Sequence, residues 1–295
     1  MVDWQRLIFT EIDTSKGFWI AALCWGSALL GAWMVFRAVF AALGIGPQCC
    51  GAKVGSWCLK LMMLVHHCFV GPLAFLAISE DAKLMDAFAC MGCAGAAPGM
   101  IADQSGPLIS AQALVPITVG YMLADLILFP YWNLSSSAML ENLLMVMHHV
   151  ISILVWQMTI SFDYCQRYVL VLLSYEITSI PLTVMWVLST SGRKSSLLYK
   201  FTGLIFTASF VVLRMGAAVP QLRSMWYAVP WQLEWAEFFR PGVVPAQLPL
   251  GIFRAGTATL VIPHMLNLFW GIKVVKGFIS VFIGGDKKKS AKATQ

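Results

Sequence analysis

Charge is what this chain lacks. Asp, Glu, Lys and Arg make up only 12% of its 295 residues, whereas 59% are hydrophobic and the mean hydropathy is +0.76. So few charges cannot coat a soluble globule, and so many apolar side chains cannot be hidden in a single core. An internal repeat, a low-complexity linker and a second domain are also missing. No cleavable signal peptide is visible: the first 16 residues are mixed and lean acidic, and the apolar run after them is long enough to stay as an anchor. Histidine boxes of the HxxxH or HxxHH kind, which a membrane hydroxylase needs for its iron, do not occur.

What is present is a succession of long apolar runs. A bilayer core about 30 Å thick takes roughly 20 mostly apolar residues per helix. Seven segments qualify: Phe18 to Leu43, Trp57 to Ile78, Pro107 to Phe129, Met139 to Ile160, Tyr168 to Leu188, Ser196 to Val219 and Leu250 to Ile279. The expectation is an all-α polytopic membrane protein, a bundle of about seven transmembrane helices. It divides into an N-terminal segment with the first helix (1–56), a transmembrane domain (57–283) and a basic tail (284–295).

Orientation follows the basic residues. With the C-terminus in the cytoplasm, twelve of the 20 Lys and Arg, including six tail lysines from Lys273 to Lys292, share one side. The N-terminus is then outside. The tail reads as topogenic charge that attracts anionic lipid heads. The sequon Asn133-Leu134-Ser135 falls on the cytoplasmic side and is expected to stay unmodified.

The eight cysteines are scattered. Cys90 and Cys93 form a lone CxxC, read as small loop residues, and Cys49-Cys50 flank the first cytoplasmic loop as a palmitoylation candidate. Two connections are long. Ser79 to Gly106 reads as a loop with a short helix from Asp81 to Met91. Pro220 to Pro249 is dense in Trp, Tyr and Phe and reads as a segment along the outer interface.

Two histidine doublets stand inside the apolar runs, where an ionisable side chain is expensive unless it faces the bundle interior and a partner. At about 1.5 Å per residue, His66 and His67 fall near the middle of the second span, His148 and His149 of the fourth, Glu176 of the fifth and His264 of the seventh. Arg214 lies toward the outer end of the sixth, and Asp125 near the cytoplasmic end of the third, one turn after Tyr121. Neighbours on a helix point about 100° apart, so one member of each doublet faces the centre and the other an adjacent helix. Ser152 follows His148 by one turn, and Ser179 follows Glu176 by three residues, which predicts polar stripes. Pro181 and Pro263 remove backbone donors near Ile177 and Thr259, irregularity that a membrane tolerates around a cavity or within protein. Blander roles are open too: His66-His67 bonded to backbone, His264 satisfying its kink, and Arg214 snorkelling outward.

Several stretches resemble a known family. Met139 to Val150 (MLENLLMVMHHV), preceded by Gly120 to Asp125 (GYMLAD) and followed by Leu173 to Pro181 (LSYEITSIP), is similar to the TLC domain, and the likeness extends through Val212 to Met215 (VLRM) and Ile272 to Gly277 (IKVVKG). The family groups the translocating-chain-associating membrane protein, the longevity-assurance ceramide synthases and the neuronal ceroid lipofuscinosis membrane protein. The resemblance implies a multi-spanning protein of internal membranes, often the endoplasmic reticulum, concerned with lipid synthesis, sensing or transport. In ceramide synthases a histidine doublet and two aspartates three residues apart in the next helix are the catalytic signature. His148 and His149 match the doublet, but the aspartate positions hold Glu176 and Ser179, closer to the TLC-domain paralogues than to the synthases proper.

Three functions follow. The first is membrane lipid homeostasis, with a lipid received by a polar level of His66, His67, Tyr121, Asp125, Ser152, Ser179, Arg214 and His264. The second is acyl transfer from fatty acyl-coenzyme A, with His148, His149 and Glu176 as catalytic residues and a histidine oriented by Glu176 acting as base or nucleophile. The third is a metal site. Membrane lipids are the expected partners, and acyl-coenzyme A a further one under acyl transfer. No nucleic acid, cofactor or metal is expected.

Overall fold

The computed structural model describes residues 15–46, 54–82, 85, 110–132, 138–161, 165–228, 255–256 and 258–282. Their regular elements are α1 (Ser15–Ala42), α2 (Val54–Glu80), α3 (Ala111–Ile127), a 3-10 turn (Phe129–Tyr131), α4 (Met139–Ser161), α5 (Gln166–Ser174), a 3-10 segment (Tyr175–Thr178), α6 (Ser179–Thr190), α7 (Leu197–Ser209), a π segment (Phe210–Gly216), α8 (Ala218–Ala228) and α9 (Ile262–Phe282). No strand occurs among the described residues. The protein is an all-α integral membrane protein.

Against seven expected spans, five helical stretches among the described residues are long and apolar enough to cross a bilayer: Lys16–Ala42, Val54–Glu80, Met139–Ser161, Gln166–Thr190 and Leu197–Arg223. The third expected span, Pro107 to Phe129, is a 17-residue apolar helix, Ala111–Ile127, shorter at both ends. The seventh is broken: residues 255–256 and 258–259 are helical, Leu260 and Val261 form a turn, and the helix is continuous from Ile262, carrying Lys273 and Lys276. The sixth does not stop at Val219; α8 continues the run to Ala228, into the stretch read as interfacial. Asn133 to Ser135, Cys49-Cys50, Cys90, Cys93, most of the loop from Ser79 to Gly106, the aromatics from Trp231 to Phe239 and the lysines from Lys287 onward lie outside the described residues.

Local chemistry sets the helix ends. The Ser110 and Ser196 hydroxyls accept from the Ala113 and Tyr199 amides, capping α3 and α7. Gly44 (φ +67°) and Gly192 (φ +74°) close α1 and α6. Each sits where the chain turns left-handed, and Ile45 and Arg193 then donate to Phe40 O and Leu188 O, taking up carbonyls the helix leaves unpaired.

Small residues let the spans approach. α1 lies along α3, where Gly26 crosses Gly120: a Cβ on Gly26 would stand 2.9 Å from the Gly120 carbonyl oxygen, and one on Gly120 would run into the Ala22 carbonyl. α2 packs on α1, α3 and α5 and on the 3-10 segment, so it is the central rod. A Cβ on Gly71 would stand 2.6 Å from the Ile177 amide nitrogen, so only glycine lets α2 reach the backbone next to Glu176.

Candidate functional site

The site begins with two breaks in helix geometry. Pro181 has no N–H to offer Ile177, and the chain tightens to a 3-10 turn over Tyr175–Thr178, which holds Glu176. Opposite it, the sixth span loosens into the π segment that holds Arg214. α9 packs on the same π segment. Its approach is irregular as expected near Pro263: Val261 donates to Ala258 O and His264 to Val261 O, three residues back instead of four.

These breaks assemble the first cluster. His67 Nδ1 is 2.8 Å from Glu176 Oε2, and the Ser179 hydroxyl donates to the same oxygen at 3.0 Å. His66 Nδ1 is 3.3 Å from His67 Nδ1, and its Nε2 is 3.2 Å from the Thr118 hydroxyl. One tautomer set serves these contacts, with the single His67 Nδ1 proton shared between Glu176 Oε2 and His66 Nδ1. His67 donates from Nδ1 to the carboxylate, His66 accepts with Nδ1 and donates from Nε2 to Thr118, and Thr118 donates to Leu114 O.

Arg214 closes the network from the other side. Nε donates to the Thr178 hydroxyl at 2.7 Å, Nη1 to Asn267 Oδ1 at 3.2 Å, and Nη2 to Tyr175 O at 3.0 Å and to the Ser179 hydroxyl at 3.2 Å. Nη2 also stands 4.0 Å from Glu176 Oε1. The guanidinium therefore points inward and does not snorkel. Its positive charge and the carboxylate's negative charge offset each other, which is how a membrane interior accommodates both.

A second cluster surrounds the other doublet. His149 Nδ1 donates to Met145 O at 2.8 Å. Its Nε2 lies 3.2 Å from Asp125 Oδ2, within ion-pair distance but out of line for a hydrogen bond. Trp132 Nε1 donates to the other Asp125 oxygen. The Tyr121 ring joins the clusters: it stacks on His66 with centroids 4.1 Å apart and lies 6.2 Å from His149.

His148 belongs to neither network. It lines a cleft with Ser152, Trp156, Thr259, Leu260 and Pro263, with room for about one water molecule. The members of each doublet take different partners: His149 turns to α3 and His148 to the cleft, while His67 turns to Glu176 and His66 to α3, so in the first doublet both members face neighbouring spans, not one the centre and one a helix as expected. The carboxylate that the resemblance assigns to the His148-His149 doublet holds His67 instead. His264 is buried with no hydrogen-bond partner at either ring nitrogen among the described residues, its ring 6.0 Å from that of Tyr175. Although it occupies the first turn of α9 and not a helix middle, the Tyr175 contact puts it beside the Glu176 level.

Asn267, Thr118, Thr178 and Gln221 are buried members that the sequence reading did not single out. Asn267 carried a signal, since it lies three residues after His264 on the same helix face. The Tyr175 hydroxyl donates to Gln221 Oε1 and Gln221 Nε2 donates to Tyr168 O, which ties α8 to this level. Away from it, Arg167 Nε donates to Asp81 Oδ2 at 2.6 Å, both side chains buried where α5 starts and α2 ends. No three or more His, Cys, Asp and Glu side chains among the described residues converge as ligands for a metal ion.

A histidine doublet backed by buried carboxylates, inside a bundle whose motifs run in this order, points to one family. The family model for the TLC domain matches residues 56–276. The chain belongs to the TLC-domain family. No curated protein and no solved structure matches it. Within the TLC-domain protein, the first helix lies before the matched residues yet packs directly on α3 inside them.

Proposed function

We propose that this TLC-domain protein acts in membrane lipid homeostasis by binding, sensing or transporting a lipid whose head group reaches the polar level. The observation that supports this reading is the His67–Glu176–Arg214 network at the junction of α2, the 3-10 segment and the π segment. Its carboxylate and guanidinium offset each other, and it is not sealed: the Glu176 side chain is 22% exposed and Arg214 13%, against 4% for His67. A head group therefore meets the carboxylate and the guanidinium first. Internal membranes such as the endoplasmic reticulum, with the N-terminus lumenal and the tail cytoplasmic, complete the proposal.

The test is lipid analysis of purified protein against the membrane it came from. Enrichment of one class in the wild type, lost in Glu176→Gln and Arg214→Gln, is the expected result. An unselective lipid complement in all three proteins would overturn the proposal.

Acyl transfer is a second reading, favoured by one feature. His148 faces a cleft with the Ser152 hydroxyl beside it, as a base or nucleophile must. A fatty acyl-coenzyme A would approach from the basic cytoplasmic face. Incubation with labelled acyl-coenzyme A and long-chain bases tests this, and the absence of both product and acyl-protein removes it.

A further inference from the structure

His264 stands out among the buried polar side chains. It is 5% exposed, and neither ring nitrogen has a hydrogen-bond partner among the described residues. A neutral imidazole carries one donor and one acceptor, and leaving both unmade in a low-dielectric interior is unfavourable unless something else supplies their partners. Tyr175, edge-on at 6.0 Å, does not, because its hydroxyl is directed to Gln221.

One turn along the same face of α9, Asn267 is buried to a similar degree. Its carbonyl oxygen accepts from Arg214, and its amide N–H groups have no partner among the described residues. The face therefore presents an acceptor and a donor at His264 and further donors at Asn267. Its charge is balanced: Arg214 beside Asn267 is offset by Glu176 at 4.0 Å. An anion would be attracted by the guanidinium but repelled by the carboxylate, and a cation the reverse. The group this face suits is uncharged and both donates and accepts. Thr259, Leu260, Ile262 and Pro263, the residues leading into His264, wall the cleft shared with His148, and His264 follows them in the chain without lining it.

We infer that His264 and Asn267 form a subsite for the hydroxyl or amide of an uncharged membrane lipid head group. This rests on the reading that the polar level receives a lipid, and it specifies the chemistry received.

The experiment uses the full chain in nanodiscs with photoreactive probes: a diacylglycerol, an N-acylethanolamine, the O-methyl ether of each, and a phosphatidylserine. The expected result is labelling of residues 258–282 by the hydroxyl probes. Methylation removes the diacylglycerol's only donor, and labelling by its ether falls about tenfold, the effect of one well-placed hydrogen bond, whereas the N-acylethanolamine ether keeps its amide N–H and falls less. His264→Phe lowers labelling by the hydroxyl probes by a similar factor while thermal stability holds or rises, since no imidazole remains without partners. Equal labelling by the ethers, labelling confined to other helices, or His264→Phe labelling like the wild type would each overturn the subsite. If His264→Phe does not fold, the ether comparison in the wild type still decides. Failure of every probe to label the protein sinks the lipid-binding reading itself, whereas labelling by phosphatidylserine near Glu176 alone sinks only the subsite.

Discussion

The imidazole of His67 and the carboxylate of Glu176 meet at 2.8 Å, although 109 positions separate them, and the doublet nearer to Glu176 in the chain, His148-His149, makes other contacts. The carboxylate is a connector: it joins α2 to the fifth span and, through Ser179 and Arg214, to the sixth. Its partners make any change at Glu176 a change in helix packing as well as in chemistry.

A double-mutant cycle measures that connection. His67→Phe and Glu176→Gln, singly and together, are expected to show a coupling of about 0.6 to 1.7 kcal/mol, the range for hydrogen bonds between membrane helices. Reversible unfolding in mixed micelles or bicelles reads it. Strict additivity of the two substitutions would mean the pair contributes nothing to packing.

Gly71→Ala is expected to lower thermal stability and to disturb lipid selection together. The added Cβ would meet the Ile177 amide nitrogen at 2.6 Å and the Glu176 carbonyl carbon at 3.0 Å, backbone atoms that can only move by shifting the segment that holds the carboxylate. Gly31→Ala is the control. Nothing lies within 4 Å of its Cβ, and a helix gains about 0.5–1 kcal/mol from alanine over glycine. Opposite shifts in melting temperature are the expected result.

At the end of α2, Asp81→Ala removes the carboxylate beside the buried Arg167 guanidinium. Breaking one side of a buried pair costs about 3–5 kcal/mol, so this variant is expected to be among the least stable single substitutions. Asp81→Asn keeps an oxygen acceptor for Arg167 Nε and should lose less. Unfolding curves of both variants that coincide with that of the wild type would show that charge and hydrogen bond are both dispensable there.

The two residues of the second doublet are expected to part company. His149→Ala takes away the imidazole facing Asp125 and leaves that buried carboxyl with the Trp132 indole, so it lowers stability. His148→Ala removes a wall of the cleft and an edge-on ring contact with His149, so it alters the lipids or product associated with the protein at a smaller loss of stability than His149→Ala. Melting temperatures and lipid profiles of both variants check this. Equal losses of stability would show that His148 also ties helices together.

Much of this architecture is legible along the chain. Long apolar runs report the spans, because a helix in lipid satisfies its own backbone and needs only length and apolarity. Prolines report the irregular backbone: the 3-10 turn before Pro181 and the break before Pro263 both lie where a missing N–H requires them. The Ser179–Glu176 bond follows from helical spacing alone. The start of the third span was less legible, since hydropathy cannot tell a lipid-facing residue from an apolar residue in a connection.

Partner choice was not legible. Sequence spacing placed His66, His67, His148, His149, Glu176 and Arg214 at polar positions within spans, and the 100° step divided each doublet. It could not say which helix stands opposite which. That depends on glycine contacts such as Gly71 against Ile177 and Gly26 against Gly120, which decide how closely two rods approach. The sequence by itself determined an all-helical membrane protein with ionisable groups inside its spans, because burial of polar groups in lipid is governed by local composition. Only the tertiary structure decided that Glu176 takes His67, that Asp125 takes His149 and that Arg214 takes Asn267, because a hydrogen bond needs its partner within about 3 Å and that distance is set by packing between helices.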